Sequence, residues 1–225
     1  MSRALHAWIA LGIALAVVTA VPAIDLDASA LFYVPGSGFP WRENLLGLFV
    51  RRVVPRLIVG SAVACLWIWA WGRIRHRTFW GLTTPRMAYL AGTLIVGPGL
   101  IVETLLKPNW GRPRPENLLQ FGGDVSYAPP LLLAEGCTRN CSFVSGHAAV
   151  TFWLTAYAFL LPERYRGAGM ALALILGAAV GAMRVMQGAH FVSDVLYAGA
   201  IVVGVNTLAF RYMLAPRDAL AEKPA

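Results

Sequence analysis

The stretch "VSGHAAVTFWLTAYAFLLP", Val144 to Pro162, decides how the rest of the chain is read. It joins a polar triplet, Ser145-Gly146-His147, to the run Ala148–Pro162, and no charge follows until Glu163. Fifteen such residues could be a core helix of a soluble domain or a membrane span. A span needs about 20 mostly apolar residues, and flanking residues can lengthen a short one. Composition decides between the two. The 225 residues are 58% hydrophobic and 13% charged, with a mean hydropathy of +0.61. A soluble domain would carry roughly a quarter charged residues.

Further charge-free runs agree. Ala4–Ile24 has 21 residues with His6 as its one ionisable group. Leu57–Gly72, Met87–Val102, Gly167–Met183 and Val195–Phe210 have 16 or 17 residues each. The expected fold class is therefore all-α, an integral membrane bundle of six transmembrane helices with a polar outer loop. It forms a single domain over 1–225, with a disordered tail from about 215. "ASA" at 28–30 fits a signal cleavage site. The weak n-region, Arg3 alone, and the long apolar run favour a retained first span.

The net charge is +8. Its dispersal between apolar runs suits membrane-flanking Lys and Arg, and it argues against nucleic acid as a partner. The segment "WRENLLGLFVRR" at 41–52 is amphipathic and is expected to lie along the interface. With six spans, the loops at 25–51, 107–146 and 184–190 share one side. Lys and Arg split nine to ten between the sides, or five to ten without Lys107, Arg112, Arg114 and Arg184. The positive-inside rule then puts both termini in the cytoplasm and the polar loops outside.

Those four cations bracket His147 and His190 on that outer side. A lone Lys or Arg at a helix end usually snorkels to headgroups, and Arg112 taken singly reads so. As a group, cations beside backbone N–H donors make an anion site suited to phosphate. Ser145 can donate its hydroxyl, Gly146 lets the backbone come close, and a helix starting there favours negative charge. His190 and Asp194, spaced i, i+4, share a helix face. The carboxylate can accept one imidazole proton and leave the other nitrogen free and nucleophilic. His147, His190 and Asp194 could also ligate a metal, but the surrounding cations repel a divalent ion, so no metal is expected.

Lys107-x6-Arg114-Pro115, Ser145-Gly146-His147 and Arg184-x5-His190-x3-Asp194, in that order, resemble the three motifs of the type 2 phosphatidic acid phosphatase superfamily. Val144 and Met183 stand where the family has proline and serine. A closer likeness over about 92–196, in "VGPGL", "WGRPRP", "CTRNCSFVSGHA" and "MRVMQGAHFVSDV", is to the branch that includes bacterial lipid A 4′-phosphatases. That branch also resembles undecaprenyl pyrophosphate and phosphatidylglycerophosphate phosphatases. The resemblance implies a metal-independent lipid phosphatase without cofactor, multi-pass in a bacterial inner membrane, with its site facing the periplasm and a lipid phosphate as substrate. It implies that His190 attacks phosphorus and carries a phosphohistidine, that Asp194 orients it, and that His147 protonates the leaving oxygen. Lys107, Arg114, Ser145, Gly146 and Arg184 would hold the phosphoryl oxygens. Two rivals remain. One is a phosphotransferase that passes the group to another lipid. The other is a non-enzymatic anion-binding membrane protein, whose paired interrupted spans are not evident.

Cys137 and Cys141 flank "TRN" in the outer loop, and an oxidising periplasm favours a disulfide between them. Cys65 reads as packing and Glu103 as a local partner of Lys107. The eight tryptophans read mostly as interface anchors, with Trp110 singled out for its place between Lys107 and Arg114.

Overall fold

Proline placement and small residues shape the bundle. The computed structural model describes residues 3–215 and is helical, with two isolated β-bridges and no strands among those residues. The expected tail, past Ala215, lies outside the described residues.

The first apolar run is not one straight span. Helix α1 (Arg3–Ala20) ends at Val21, and α2 (Pro22–Ala30) leaves at 82° to it. Pro22 has no N–H to continue the ladder and drives the preceding residue out of the helical region. Val21 accordingly sits at φ −119°, ψ 85°.

Helix α3 (Leu45–Arg52) begins where the Asn44 side chain accepts the Leu46 N–H at 2.9 Å. It runs through Val53 into α4 (Val54–Ile74), and the two form one 30-residue apolar stretch. The 41–52 segment therefore runs directly into α4, with Val53 as the one residue between the two helices. Helix α5 (Thr84–Asn109) widens into a π-helical stretch over Ile95–Leu106, which contains Pro98. Its last turn delivers Lys107.

The run that opened the reading forms two short helices, α6 (Gly146–Phe152) and α7 (Thr155–Leu160), broken at Trp153 and Leu154. At 1.5 Å per residue the pair reaches about 22 Å, short of a hydrocarbon core of about 30 Å. It is also the bundle's centre, with Ala148, Ala149, Trp153 and Ala156 fully buried. Helices α8 (Glu163–Met186) and α9 (Val192–Met213) close on it through small residues. A Cβ on Gly177 would lie 2.3 Å from the Phe152 ring, and one on Gly181 would lie 2.2 Å from Val195.

Among the described residues four helices are long and apolar enough to cross a membrane, or five if the bent α1–α2 pair counts as one. That is fewer than the six expected, because the fourth run is the short broken pair. Buried polar contacts tie the bundle internally. Trp153 Nε1 donates to Thr93 Oγ1 at 2.9 Å, and Asn206 Nδ2 donates to Thr155 Oγ1 at 2.8 Å. The segment 107–146 is irregular, with 3₁₀ turns at Pro115–Asn117 and Leu119–Phe121. It caps the bundle through a small apolar cluster of Phe39, Leu118, Phe121 and Phe191.

Candidate active site

The three motifs meet at the end of the bundle where α5 stops, α6 starts and α8 turns into α9. A cavity of about 280 Å³ opens there, lined by Lys107, Arg114, His147, Arg184 and His190. Five of the eight sequence-predicted catalytic and phosphate-holding residues thus share one wall. The other three, Ser145, Gly146 and Asp194, are fully or almost fully buried behind it. A larger cavity of about 440 Å³, among Trp69, Arg73, His76 and Arg77, lies at the far end of α4 and contains none of them.

Local chemistry explains each placement. Ser145 precedes α6 in an extended conformation, and its Oγ accepts the Ala148 N–H at 3.4 Å. Its role here is a helix cap. Gly146 leaves room for two side-chain ends, because a Cβ would lie 2.0 Å from Glu103 Oε1 and 3.1 Å from Lys107 Nζ and would displace them. Those two side chains pair at 3.0 Å across one turn of α5, the local partnership expected of Glu103. His147 faces the cavity, with Nε2 3.0 Å from the Arg51 carbonyl oxygen.

His190 is 1% exposed. Its Nδ1 lies 2.8 Å from the Ser142 carbonyl oxygen and 3.7 Å from Asp194 Oδ2. A carbonyl oxygen can only accept, so Nδ1 carries the proton and Nε2 is the unprotonated nitrogen. The sequence reading gave that acceptor role to Asp194. The carboxylate is instead occupied, accepting from Arg112 Nη1 at 2.5 Å, Ser142 Oγ at 2.5 Å and the Phe191 N–H at 2.8 Å. It holds both the residue after His190 and the residue whose carbonyl fixes the His190 tautomer. Burial, offset only in part by Asp194, pushes the His190 imidazole down to about 3, so it is neutral at ordinary pH.

Arg112 is the clearest correction. The sequence reading made it a snorkelling surface cation, yet it is fully buried and lines no part of the cavity. Its Nη2 donates to Asp25 Oδ2 at 2.8 Å, its Nη1 to Asp194 and to Ser193 Oγ, and its Nε to the Ala128 carbonyl at 2.9 Å. Burial alone would lower this guanidinium, but Asp194 and Asp25 more than offset that and hold it above its usual range. Asp25 also accepts the Ser193 N–H at 2.9 Å and the Ser193 hydroxyl at 2.5 Å. Sequence reading missed Asp25 entirely. The available signal was an acid at the edge of an apolar run, with nothing local to name its partner.

Two more cavity residues were missed, Arg42 and Arg51, both from the amphipathic segment. Arg42 pairs with Glu116, which also lies 3.6 Å from Arg114. Burial and the Arg42 charge lower Arg114. Arg184, 4% exposed, donates from Nη1 to Gln187 Oε1, while its buried Nε has no partner among the described residues. Cys137 and Cys141 are joined, with Cα atoms 5.6 Å apart, ahead of Ser142 in the cap. Trp110 stacks on Phe143 and donates to the Pro130 carbonyl, a supporting contact rather than a cavity one. Cys65 packs near the Tyr157 hydroxyl, at 3.7 Å.

Residues 86–218 match the family described as the PAP2 superfamily. A lipid A 4′-phosphatase of Rhizobium leguminosarum is 36% identical over 195 residues, covering 81% of this chain and 84% of that protein. One of Rhizobium etli is 35% identical over 194 residues, covering 80% and 76%. One of Francisella tularensis subsp. novicida is 43% identical over 115 residues, and there the chain spans about half of the relative, 51% of this chain against 52% of that protein. No solved structure matches the chain.

Proposed function

This chain belongs to the PAP2 superfamily, and we propose that it is a metal-independent hydrolase that removes the 4′-phosphate of lipid A at the periplasmic face of a bacterial inner membrane. The observation that carries the chemistry is a neutral, tautomer-fixed imidazole and a second imidazole facing one cation-lined cavity. Names of the relatives support the substrate.

In the first step the Nε2 lone pair of His190 forms a bond to phosphorus as the bond to the lipid oxygen breaks. The departing oxygen takes a proton from His147, whose charged form the bound phosphate dianion favours against the surrounding cations, and leaves as an alcohol. In the second step water attacks the phosphohistidine and gives its proton to His147, releasing phosphate and neutral His190. Arg184, Lys107 and Arg114 offset charge on the phosphoryl oxygens as phosphorus becomes five-coordinate. Ser145 and Gly146 act from behind the cavity wall, by capping α6 and by admitting the Glu103–Lys107 pair.

The same proposal includes six crossings, with α6–α7 as a short fourth. Its N-terminus starts at the site, below the outer surface, so it has less bilayer left to cross. Support comes from the five-to-ten division of Lys and Arg. It also comes from α4, whose 21 residues reach about 31 Å between Arg51 and the 73–86 loop. In a Cys65→Ser background, a cysteine at Thr78 should react with an impermeant thiol reagent only after the membrane is opened; ready labelling of intact spheroplasts would overturn the orientation.

Purified protein given lipid A labelled at both phosphates should release the 4′-phosphate into water, with vanadate inhibiting and a strong chelator having no effect. Recovery of the label in a second lipid would make it a transferase. Chelator sensitivity would mean a metal. Absence of release from lipid A but not from another lipid phosphate would reassign the substrate.

A further inference from the structure

The scissile phosphate does not account for all the cations in the cavity. Lys107 and Arg184 are 9% and 4% exposed, and with His190 at 1% they form the floor. Arg42 and Arg51 come from a different part of the chain, before the matched family region, and are only partly buried. The Arg42 side chain is 43% exposed, which puts it at the mouth. Two carboxylates offset this group. Glu103 pairs with Lys107, and Glu116 is shared between Arg42 and Arg114. Among the described residues no carboxylate pairs with Arg51 or Arg184, and the buried Arg184 Nε has no partner at all. Five cations against two carboxylates leave an excess of three positive charges, one more than a phosphomonoester dianion neutralises.

The segment carrying the mouth arginines is keyed to the floor. A Cβ on Gly47 would lie 2.1 Å from the Trp41 carbonyl oxygen and 2.6 Å from Gln187 Nε2. Gln187 in turn accepts from Arg184 and points its Nε2 at the Trp41 carbonyl, at 3.4 Å. Arg51 also places its own carbonyl on His147. The mouth is thus a built wall, held by close backbone packing rather than a solvated charge run.

We propose that Arg42 and Arg51 form a second anionic subsite, for a negatively charged group carried on the same headgroup beside the scissile phosphate. This rests on the phosphatase reading above. A phosphoryl group at the floor leaves the next few atoms of the headgroup at the mouth, where planar guanidinium groups suit a carboxylate or a phosphodiester equally.

Matched substrates separate the two sources. N-acyl-O-phosphoserine and N-acyl-O-phosphoethanolamine differ by one carboxylate next to the phosphomonoester. Phosphatidylglycerophosphate and phosphatidic acid differ by a phosphodiester. With the full chain in micelles, kcat/KM should favour the doubly charged member of at least one pair, and that pair names the source. In Arg42→Gln or Arg51→Gln this ratio should fall about tenfold, as expected for losing a charge-assisted contact, and Arg51→Lys should keep most of it. Using a ratio within one variant cancels losses from poor folding. The proposal is overturned if the wild-type chain discriminates within neither pair. It is overturned equally if the ratio survives in both glutamine variants, which would mean the arginines act on the scissile phosphate or on nothing. If the wild-type chain releases phosphate from lipid A but from none of these four substrates, the subsite is overturned; if it releases none from lipid A either, the phosphatase reading itself has failed, a result visible before any variant is made.

Discussion

Arg112 and Arg114 are two residues apart in one short stretch and have opposite surroundings. Arg114 lines a cavity in which positive charge exceeds negative, and its pairing with Glu116 is long at 3.6 Å. Arg112 sits behind it with two carboxylates at 2.8 and 2.5 Å and its guanidinium fully engaged. An incompletely neutralised cation is a binding site, and a neutralised buried one is a structural joint. Breaking a buried pair by removing one partner is costly because a charge is left without compensation. The two regions should therefore fail differently.

The largest effect belongs to the proposed nucleophile. His190→Ala should abolish turnover of lipid and aryl phosphates alike, because it removes the imidazole whose Nε2 takes the phosphoryl group. His147→Ala should lose most activity on lipid and keep far more on an aryl phosphate, whose phenol leaves without a proton. Equal losses on both substrates in both variants would remove the division of roles. Arg112→Ala should cost about 3–5 kcal/mol of stability by leaving Asp25 and Asp194 buried and unpaired, read as a lower melting temperature in detergent. Arg114→Ala should barely move that temperature and should lower the rate on the order of 10²-fold. If both variants lose rate with unchanged stability, the contrast drawn between them is wrong.

Much of the site was legible because its chemistry lies in residue type and short spacing. Lys107, Arg114, His147, Arg184 and His190 do share one cavity. What stayed hidden were relationships over long sequence distance. Asp25 and Arg112 are 87 residues apart, and nothing local to either indicates the other. Arg42 and Arg51 read only as charges of an amphipathic segment, since the tight fit of Gly47 against Trp41 and Gln187 appears only in three dimensions. The break at Trp153 and Leu154 lies within a uniformly apolar run, so composition gave no sign of it. The bend at Val21 did have a sign, Pro22, which a hydropathy reading passes over.

A pH series sharpens the picture of the floor. The buried His190 imidazole is lowered to about 3 from an ordinary 6.5. Above 6.5 it is neutral folded or unfolded and contributes no pH dependence. Between 6.5 and 3 the unfolded chain takes up a proton that the folded chain refuses, so stability falls as the pH falls. At pH 5 the loss is about 2 kcal/mol. Melting temperatures measured from pH 7.5 to 5 should decline, and His190→Ala should flatten part of the decline. Parallel slopes for the two proteins would mean that His190 is not held neutral by the fold.

The smallest expected effect tests how redundant the buried joint is. Tyr127 donates to Asp25 Oδ2 and accepts from Arg112 Nη2, both at 3.2 Å. Removing its hydroxyl leaves Asp25 with Arg112 at 2.8 Å, the Ser193 N–H at 2.9 Å and the Ser193 hydroxyl at 2.5 Å. Arg112 keeps both carboxylates, and the Tyr127 ring keeps its edge contact with Phe191, centroids 5.4 Å apart. No charge is stranded, so the cost is that of two long, weak hydrogen bonds, about 1 kcal/mol together. For a chain of this length Tyr127→Phe should lower the melting temperature by about 2–4 °C at most. The rate on lipid should stay within about twofold, since the cavity is untouched. A fall as large as that of Arg112→Ala would show that the phenol holds the two carboxylates and the arginine together, and would move the joint's centre from Arg112 to Tyr127.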